Sequence, residues 1–281
     1  MKILRATHLG MCFGVRDAIA MATQQSEHEK LTILGELVHN ETVNQSLREK
    51  GIQIQNSIED VTTPTVMITA HGASEKTIQH VKAHGYHLLE ATCPLVHFAH
   101  RAVTELVKTG CHPVIVGKRD HVEVRGITEN LDSYDVVLTE EDIFALKERA
   151  RFGVIAQTTQ PIDRVQSLVR MLQKQFPQSE VFFKDTVCQP TKQRQSAAIE
   201  LAKQCDVVVV IGGIHSNNTK ELTNTCSRFC NRVIQVQDAS ELKHYWFYNA
   251  QTVGITAGTS TPDVIIDAVE FKLSQLLQIT I

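Results

Sequence analysis

Short apolar runs alternate with amphipathic runs of helical period along the whole chain, and few folds accommodate that rhythm. It predicts an α/β protein with mostly parallel sheets. Strands are expected over 2–6, 31–34, 66–69, 86–89, 113–116, 135–138, 153–156, 181–183, 207–211, 232–236 and 252–255. Helices are expected over 15–22, 41–50, 74–83, 95–109, 141–150, 162–176, 191–204, 219–229 and 263–277, with Ser74 as an N-cap. No Pro-, Ser- or Gly-rich linker interrupts the pattern, so any domains pack closely. Three small α/β units of similar length, 1–93, 94–187 and 188–281, are the natural division, and they would meet around one centre.

The 281 residues can build one large or two to three small domains, and 42% are apolar, ample for real cores. With 28 basic and 31 acidic residues the net charge is −3, which points away from nucleic acid and membrane surfaces as partners. Small molecules or proteins are the expected partners. The chain starts directly on a strand with no charged-then-apolar leader, and no apolar run approaches a membrane span. A soluble, cytoplasmic protein is expected.

Seven cysteines at wide, irregular spacings argue against a disulfide framework and for thiols or metal ligands. Three of them share a context. Cys12 in Leu9-Gly10-Met11-Cys12-Phe13-Gly14-Val15, Cys93 before Pro94, and Cys188 each end a strand and precede a helix, where free backbone N–H groups favour a thiolate. Cys111, Cys205, Cys226 and Cys230 fall in or at the ends of helices and read as small core residues. A metal shared by Cys226 and Cys230, four apart, would lack a further ligand pair. His97 and His100 fall on the helix after Cys93 and read as ordinary helical histidines.

Polar clusters also sit just past strands, where open α/β sheets bind ligands. They are 38–40, 70–72, 91–94, 121–123, 157–159, 187–188, 212–218 and 257–260. His39, His71, His121, Ser216, Asn218 and Ser260 offer donors with little fixed charge, suited to a diphosphate among helix N-termini. Taken singly, Ser216 and Ser260 read as helix caps. Glu123 lies in a polar loop, 118–125, where it reads as a solvated carboxylate; facing a cavity it would become a proton donor. Thr158, past the strand 153–156, would relay that proton or orient a substrate hydroxyl.

Three converging thiolates leave two main choices. Structural zinc wants four closed ligands, and no fourth cysteine stands at a matching turn. An iron–sulfur cube on three cysteines keeps one iron open as a Lewis acid and supplies electrons. Spacing does not decide between them.

The chain resembles the 4-hydroxy-3-methylbut-2-enyl diphosphate reductase family over essentially its whole length. The resemblance is carried by 10–15, by Val38-His39-Asn40, by 70–74, by Ala91-Thr92-Cys93-Pro94-Leu95-Val96, by Gln157-Thr158-Thr159 and by 256–263. It implies a trefoil of three α/β units around a central cavity holding a [4Fe-4S] cluster on Cys12, Cys93 and Cys188. It further implies a diphosphate on His39, His71, His121, Ser216, Asn217, Asn218 and Ser260, with Glu123 as proton source and Thr158 beside the substrate hydroxyl. The reaction implied is reductive removal of an allylic hydroxyl, giving isopentenyl and dimethylallyl diphosphates with electrons from a carrier such as ferredoxin or flavodoxin. The chain departs from the family pattern in four places. His121-Val122-Glu123 replaces His-Pro-Glu, Ile214-His215 replaces Lys-Asn, Asn217 replaces a second serine, and Cys188-Gln189-Pro190-Thr191 replaces Cys-Tyr-Ala-Thr. Competing readings are a cluster-bearing hydro-lyase, which needs no external electrons, a non-catalytic iron–sulfur sensor or electron carrier, and a structural zinc protein.

Overall fold

Twelve strands among the described residues form three four-stranded sheets, every neighbouring pair parallel. The computed structural model describes residues 2–278. The strands are β1 (Lys2–Arg5), β2 (Leu31–Leu34), β3 (Gln53–Gln55), β4 (Thr65–Ile68), β5 (His87–Glu90), β6 (His112–Val116), β7 (Asp135–Val137), β8 (Arg151–Ala156), β9 (Glu180–Phe183), β10 (Val207–Ile211), β11 (Val233–Val236) and β12 (Thr252–Ala257). The helices are α1 (Phe13–Ser26), α2 (Glu41–Glu49), α3 (Glu75–Ala83), α4 (Pro94–Lys108), α5 (Val122–Thr128), α6 (Glu140–Phe144), α7 (Ile162–Gln175), α8 (Gln189–Ala202), α9 (Asn217–Ser227) and α10 (Asp263–Gln278). Short 3-10 turns occupy Ile58–Asp60, Ala239–Glu241 and His244–Phe247.

The sheets share one plan. In the row β3-β2-β4-β5 the first strand in sequence stands second, the next lies outside it, and the third and fourth extend the other side. The row β7-β6-β8-β9 repeats this order. The remaining row, β11-β10-β12-β1, repeats it again, except that its fourth strand comes from the start of the chain, in register Lys2↔Thr252 to Arg5↔Ile255. Each fourth strand is an edge strand, and each leads into one of Cys12, Cys93 and Cys188. Repeat boundaries therefore do not follow the thirds of the chain, because β1 completes the sheet of the last third.

By internal packing the described residues form two compact units: 2–16, 38–46 and 189–278 in the first, 17–37 and 47–188 in the second. The first holds the β11-β10-β12-β1 sheet, whose central strand Val207–Ile211 is buried along its length, as an all-parallel sheet covered on both faces requires. One face packs on Ile265, Ile266, Val269 and Leu273 of α10, the other on Ala197, Ala198 and Leu201 of α8 and Leu222 of α9. The second unit holds the other two sheets.

Three elements differ from the sequence expectation. β3 has one apolar residue, Ile54, and becomes a strand only through its pairing with β2. The segment 118–125, expected as a loop, instead enters helix α5. β-Branched residues and Gly126 weaken its helical signal, but Val124 and Ile127 are buried against Ala99, Ala102 and Val103 of α4. Gly126 lies close along Ala73. α6 stops at Phe144, well short of 150: a Thr139/Asp142 capping box starts it, but beyond Leu146 come Lys147, Glu148 and Arg149, which give it no face to bury.

Candidate functional site

Each of the three strand-end cysteines is half-buried, and its backbone N–H is tied in the same way. Cys12 N–H donates to Thr259 O at 3.0 Å, Cys93 N–H to Ala70 O at 3.1 Å and Cys188 N–H to Thr158 O at 2.9 Å. Every acceptor lies two residues past the end of the strand next to the cysteine's own: β12, β4 and β8. The repeated sheet plan thus delivers three thiols at equivalent positions. At Cys12 the turn needs Gly10 at φ +73°, where a Cβ would also fall 2.6 Å from Ile266 Cδ1. Cys93 stands at the N-cap of α4 with Pro94 as first helical residue.

In the second unit His121 caps α5, its Nδ1 accepting from Glu123 N–H at 3.2 Å. A ring nitrogen that accepts carries no proton, so Nε2 is the donor this imidazole presents. Its ring meets that of His71 edge-on, 5.6 Å between centroids. Glu123 is 1% exposed, not the solvated loop carboxylate its sequence context suggests, because α5 turns it into the protein from its first turn. Thr158 N–H donates to Oε1 at 2.6 Å and Thr158 Oγ1–H to Oε2 at 3.0 Å. Burial pushes the carboxyl up to about 7, although both Thr158 hydrogen bonds pull it down. Gln157, fully buried, accepts from Lys118 N–H and braces the turn before α5.

The first unit holds His39, Ser216, Asn217, Asn218 and Ser260. Gly213 carries no side chain where a Cβ would stand 2.6 Å from His39 O, which lets the 212–218 turn lie against the His39 segment. Asn40 Oδ1 accepts from Val43 N–H, capping α2. Ser216 caps α9, accepting from Thr219 N–H at 3.3 Å, as expected. Asn218 Oδ1 accepts from Thr259 N–H at 2.9 Å, which leaves its Nδ2 group to donate. Ser260 is not a cap. The first turn of α10 closes on Pro262 O, and Ser260 Oγ, like Asn217 Nδ2, is buried without a hydrogen-bond partner. Two orphaned polar atoms on adjacent turns mark a place that a polar ligand would complete.

The remaining cysteines pack. Cys226 and Cys230 lie in the core with Ala198 and Leu222, and burial pushes Cys226 up to about 12 and Cys205 up to about 11, the direction of inert thiols. Cys230 lies past the end of α9, not on it. No group of three or more His, Cys, Asp or Glu among the described residues is placed to hold a metal ion, so this pair gains no further ligands. His97 pairs with Glu90 at 3.2 Å, and burial holds His100 down at about 4. Arg194, which stands out in the sequence only as one more helical cation, is 9% exposed on α8.

Residues 3–274 match the model of the LytB protein family. The chain belongs to the LytB family. It is 36% identical over 98% of its length to a 4-hydroxy-3-methylbut-2-enyl diphosphate reductase of Trichlorobacter lovleyi, covering 99% of that protein. It is 34% identical to the reductase of that name from Geobacter metallireducens, with 98% of each chain covered. Among solved structures, (E)-4-hydroxy-3-methyl-but-2-enyl diphosphate reductase, described as the terminal enzyme of the non-mevalonate pathway, is 33% identical with a TM-score of 0.70, covering 98% of this chain and all of that one. The E-1-hydroxy-2-methyl-but-2-enyl-4-diphosphate reductase of Plasmodium falciparum shares the fold at a TM-score of 0.90 and 24% identity, covering 99% of this chain and 88% of that one. Val122, where the resemblance in sequence leads one to expect proline, stands at the first helical position of α5, and the helix forms without it.

Proposed function

We propose that this chain reduces (E)-4-hydroxy-3-methylbut-2-enyl diphosphate to isopentenyl and dimethylallyl diphosphates, taking up two electrons and two protons and releasing water. The reductase names of the LytB relatives weigh against the hydro-lyase, carrier and zinc readings. The observation that carries the reading to residues is Glu123, a fully buried carboxyl still protonated near neutrality and hydrogen-bonded to Thr158.

Cys12, Cys93 and Cys188 would hold a [4Fe-4S] cluster. The donor set fits: three half-buried thiols whose backbones are pinned at equivalent strand ends. When bound, such a cluster supplies electrons and a Lewis-acidic iron with an open position.

The protein's own groups do the rest. Ser260 Oγ, Asn217 Nδ2, Asn218 Nδ2, Ser216, His39, His71 and His121 would donate to the diphosphate, Ser216 and His121 from helix starts. That binding energy orients the allylic alcohol. Thr158 orients the hydroxyl, and Glu123 gives the proton with which it departs as water. Electrons come from an external carrier such as a ferredoxin or flavodoxin. No helix among the described residues is long and apolar enough to cross a membrane, and we assign the enzyme to the cytoplasm.

The test is anaerobic purification with iron and sulfide analysis, followed by conversion of the allylic alcohol diphosphate with and without reductant. About four irons per chain and reductant-dependent product are expected. Turnover that proceeds without reductant sinks the reductase reading.

A further inference from the structure

Arg194 is a buried cation in a half of the molecule built from valine and isoleucine strands, and it is used on the backbone. Its Nε–H donates to Gly10 O at 2.8 Å and its Nη1–H to Pro190 O at 3.0 Å. Gly10 is the left-handed residue two before Cys12, and Pro190 lies two after Cys188. One planar guanidinium thus fastens the Cys12 turn to the first turn of the helix that follows Cys188. Gly10 N–H is itself tied to Ala257 O at 3.1 Å, so both backbone polar groups of this buried glycine are held.

On the helix after Cys12 the comparable contact comes from an exposed residue at another position: Arg16, four past the cysteine, donates Nε–H to Met11 O at 3.3 Å and Nη2–H to Asp263 Oδ2 at 3.0 Å. Six residues past Cys12 and Cys93 stand Ala18 and Ala99, 1% and 0% exposed; six past Cys188 stands Arg194. Packing at that position asks only for a small residue. The arginine is therefore an addition to the shared plan.

We propose that Arg194 is a positioning residue for Cys12. Holding the Gly10 carbonyl fixes the direction in which the Cys12 thiol is presented and couples it to the backbone beyond Cys188. Its bearing on the reaction rests on Cys12 and Cys188 being cluster ligands, as proposed above. A lysine ammonium offers one point charge and not the fork, so it replaces at most one of the two contacts.

The full chain carrying Arg194→Met or Arg194→Lys is compared with the unsubstituted chain in two measurements. In the iron-free protein, iodoacetamide labelling is followed cysteine by cysteine. Cys12 should react about tenfold faster with methionine at 194, and by less with lysine, while Cys93 and the core Cys226 keep their rates. After anaerobic reconstitution, the paramagnetic resonance of the reduced cluster should shift and iron should be lost faster to a chelator, with kcat falling more than KM rises. Cys12 labelling that is unchanged in both variants overturns the proposal. So does Cys226 becoming reactive together with Cys12 in both, which would make Arg194 a general folding element. An unsubstituted chain that takes up no iron, yet shows the Cys12 shift on substitution, sinks the cluster reading and leaves the Arg194 hold on Cys12 standing.

Discussion

Two turns of this molecule share a scaffold and carry different chemistry. Ahead of α5, His121 caps the helix, and two residues on Glu123 accepts the N–H of Thr158; ahead of α9, Ser216 caps the helix, and two residues on Asn218 accepts the N–H of Thr259. Thr158 and Thr259 each lie two residues past the third strand of their sheet, β8 and β12. Equivalent backbone thus aims a carboxyl in one unit and an amide in the other. The carboxyl, pushed up to about 7 by burial, holds a proton it can give; the amide donates at any pH and cannot titrate. Repetition supplies the geometry, and one side chain per repeat sets the role.

Making the first turn resemble the second is the strongest test. Glu123→Gln keeps an acceptor for the Thr158 N–H and removes the proton; turnover should fall by about 10²–10⁴-fold with KM little changed, read by steady-state product formation. Near-normal turnover would remove Glu123 as the acid. The same substitution should also alter the response of stability to pH. With an ordinary value of 4.5 when unfolded and about 7 when folded, Glu123 is protonated in the native chain while already ionised in the unfolded one, so native stability falls as pH rises across that window. The loss should approach about 3 kcal/mol above pH 7 and be absent from Glu123→Gln, checked by denaturant titration at several pH values.

Making the second turn resemble the first should cost binding. Asn218→Asp places a second buried carboxyl beside the proposed diphosphate donors, so KM should rise about tenfold at pH 8 and recover toward acid pH as the new group protonates. A KM that is unchanged at both pH values would separate Asn218 from the diphosphate. The smallest effect sharpens the comparison without exchanging groups. Thr158→Val removes one hydrogen bond that pulls the Glu123 carboxyl down and leaves the backbone one; the pH above which turnover declines should move upward, with turnover itself reduced about fivefold.

Much of the candidate site was legible because its residues sit at strand ends, and strand ends are marked by local pattern. Cys12, Cys93 and Cys188 were separable from Cys205, Cys226 and Cys230 by their place at strand-to-helix turns beside glycine or proline, and the latter three do lie in or against the core. Glu123 was visible as a residue but not as a buried one. Its environment depends on α5, whose valine, isoleucine and glycine content hides the helix until α4 is packed against it. Arg194 was hidden for a similar reason, since its partner Gly10 lies 184 residues away. Ser260 had the look of a cap, and only the fold buries its hydroxyl without a hydrogen-bond partner.

The order of amino acids alone determined the parallel α/β class, the spacing of the helices and the placing of three thiols and several histidines, serines and asparagines just past strands. All of these follow from hydrophobic period and turn chemistry over a few neighbouring residues. Tertiary structure alone decided that β1 closes the sheet of the last third, that β3 is a strand, and that Glu123 holds its proton to about pH 7. Strand partners and the desolvation of a carboxyl are set by groups brought close through folding, and no local window of sequence contains them.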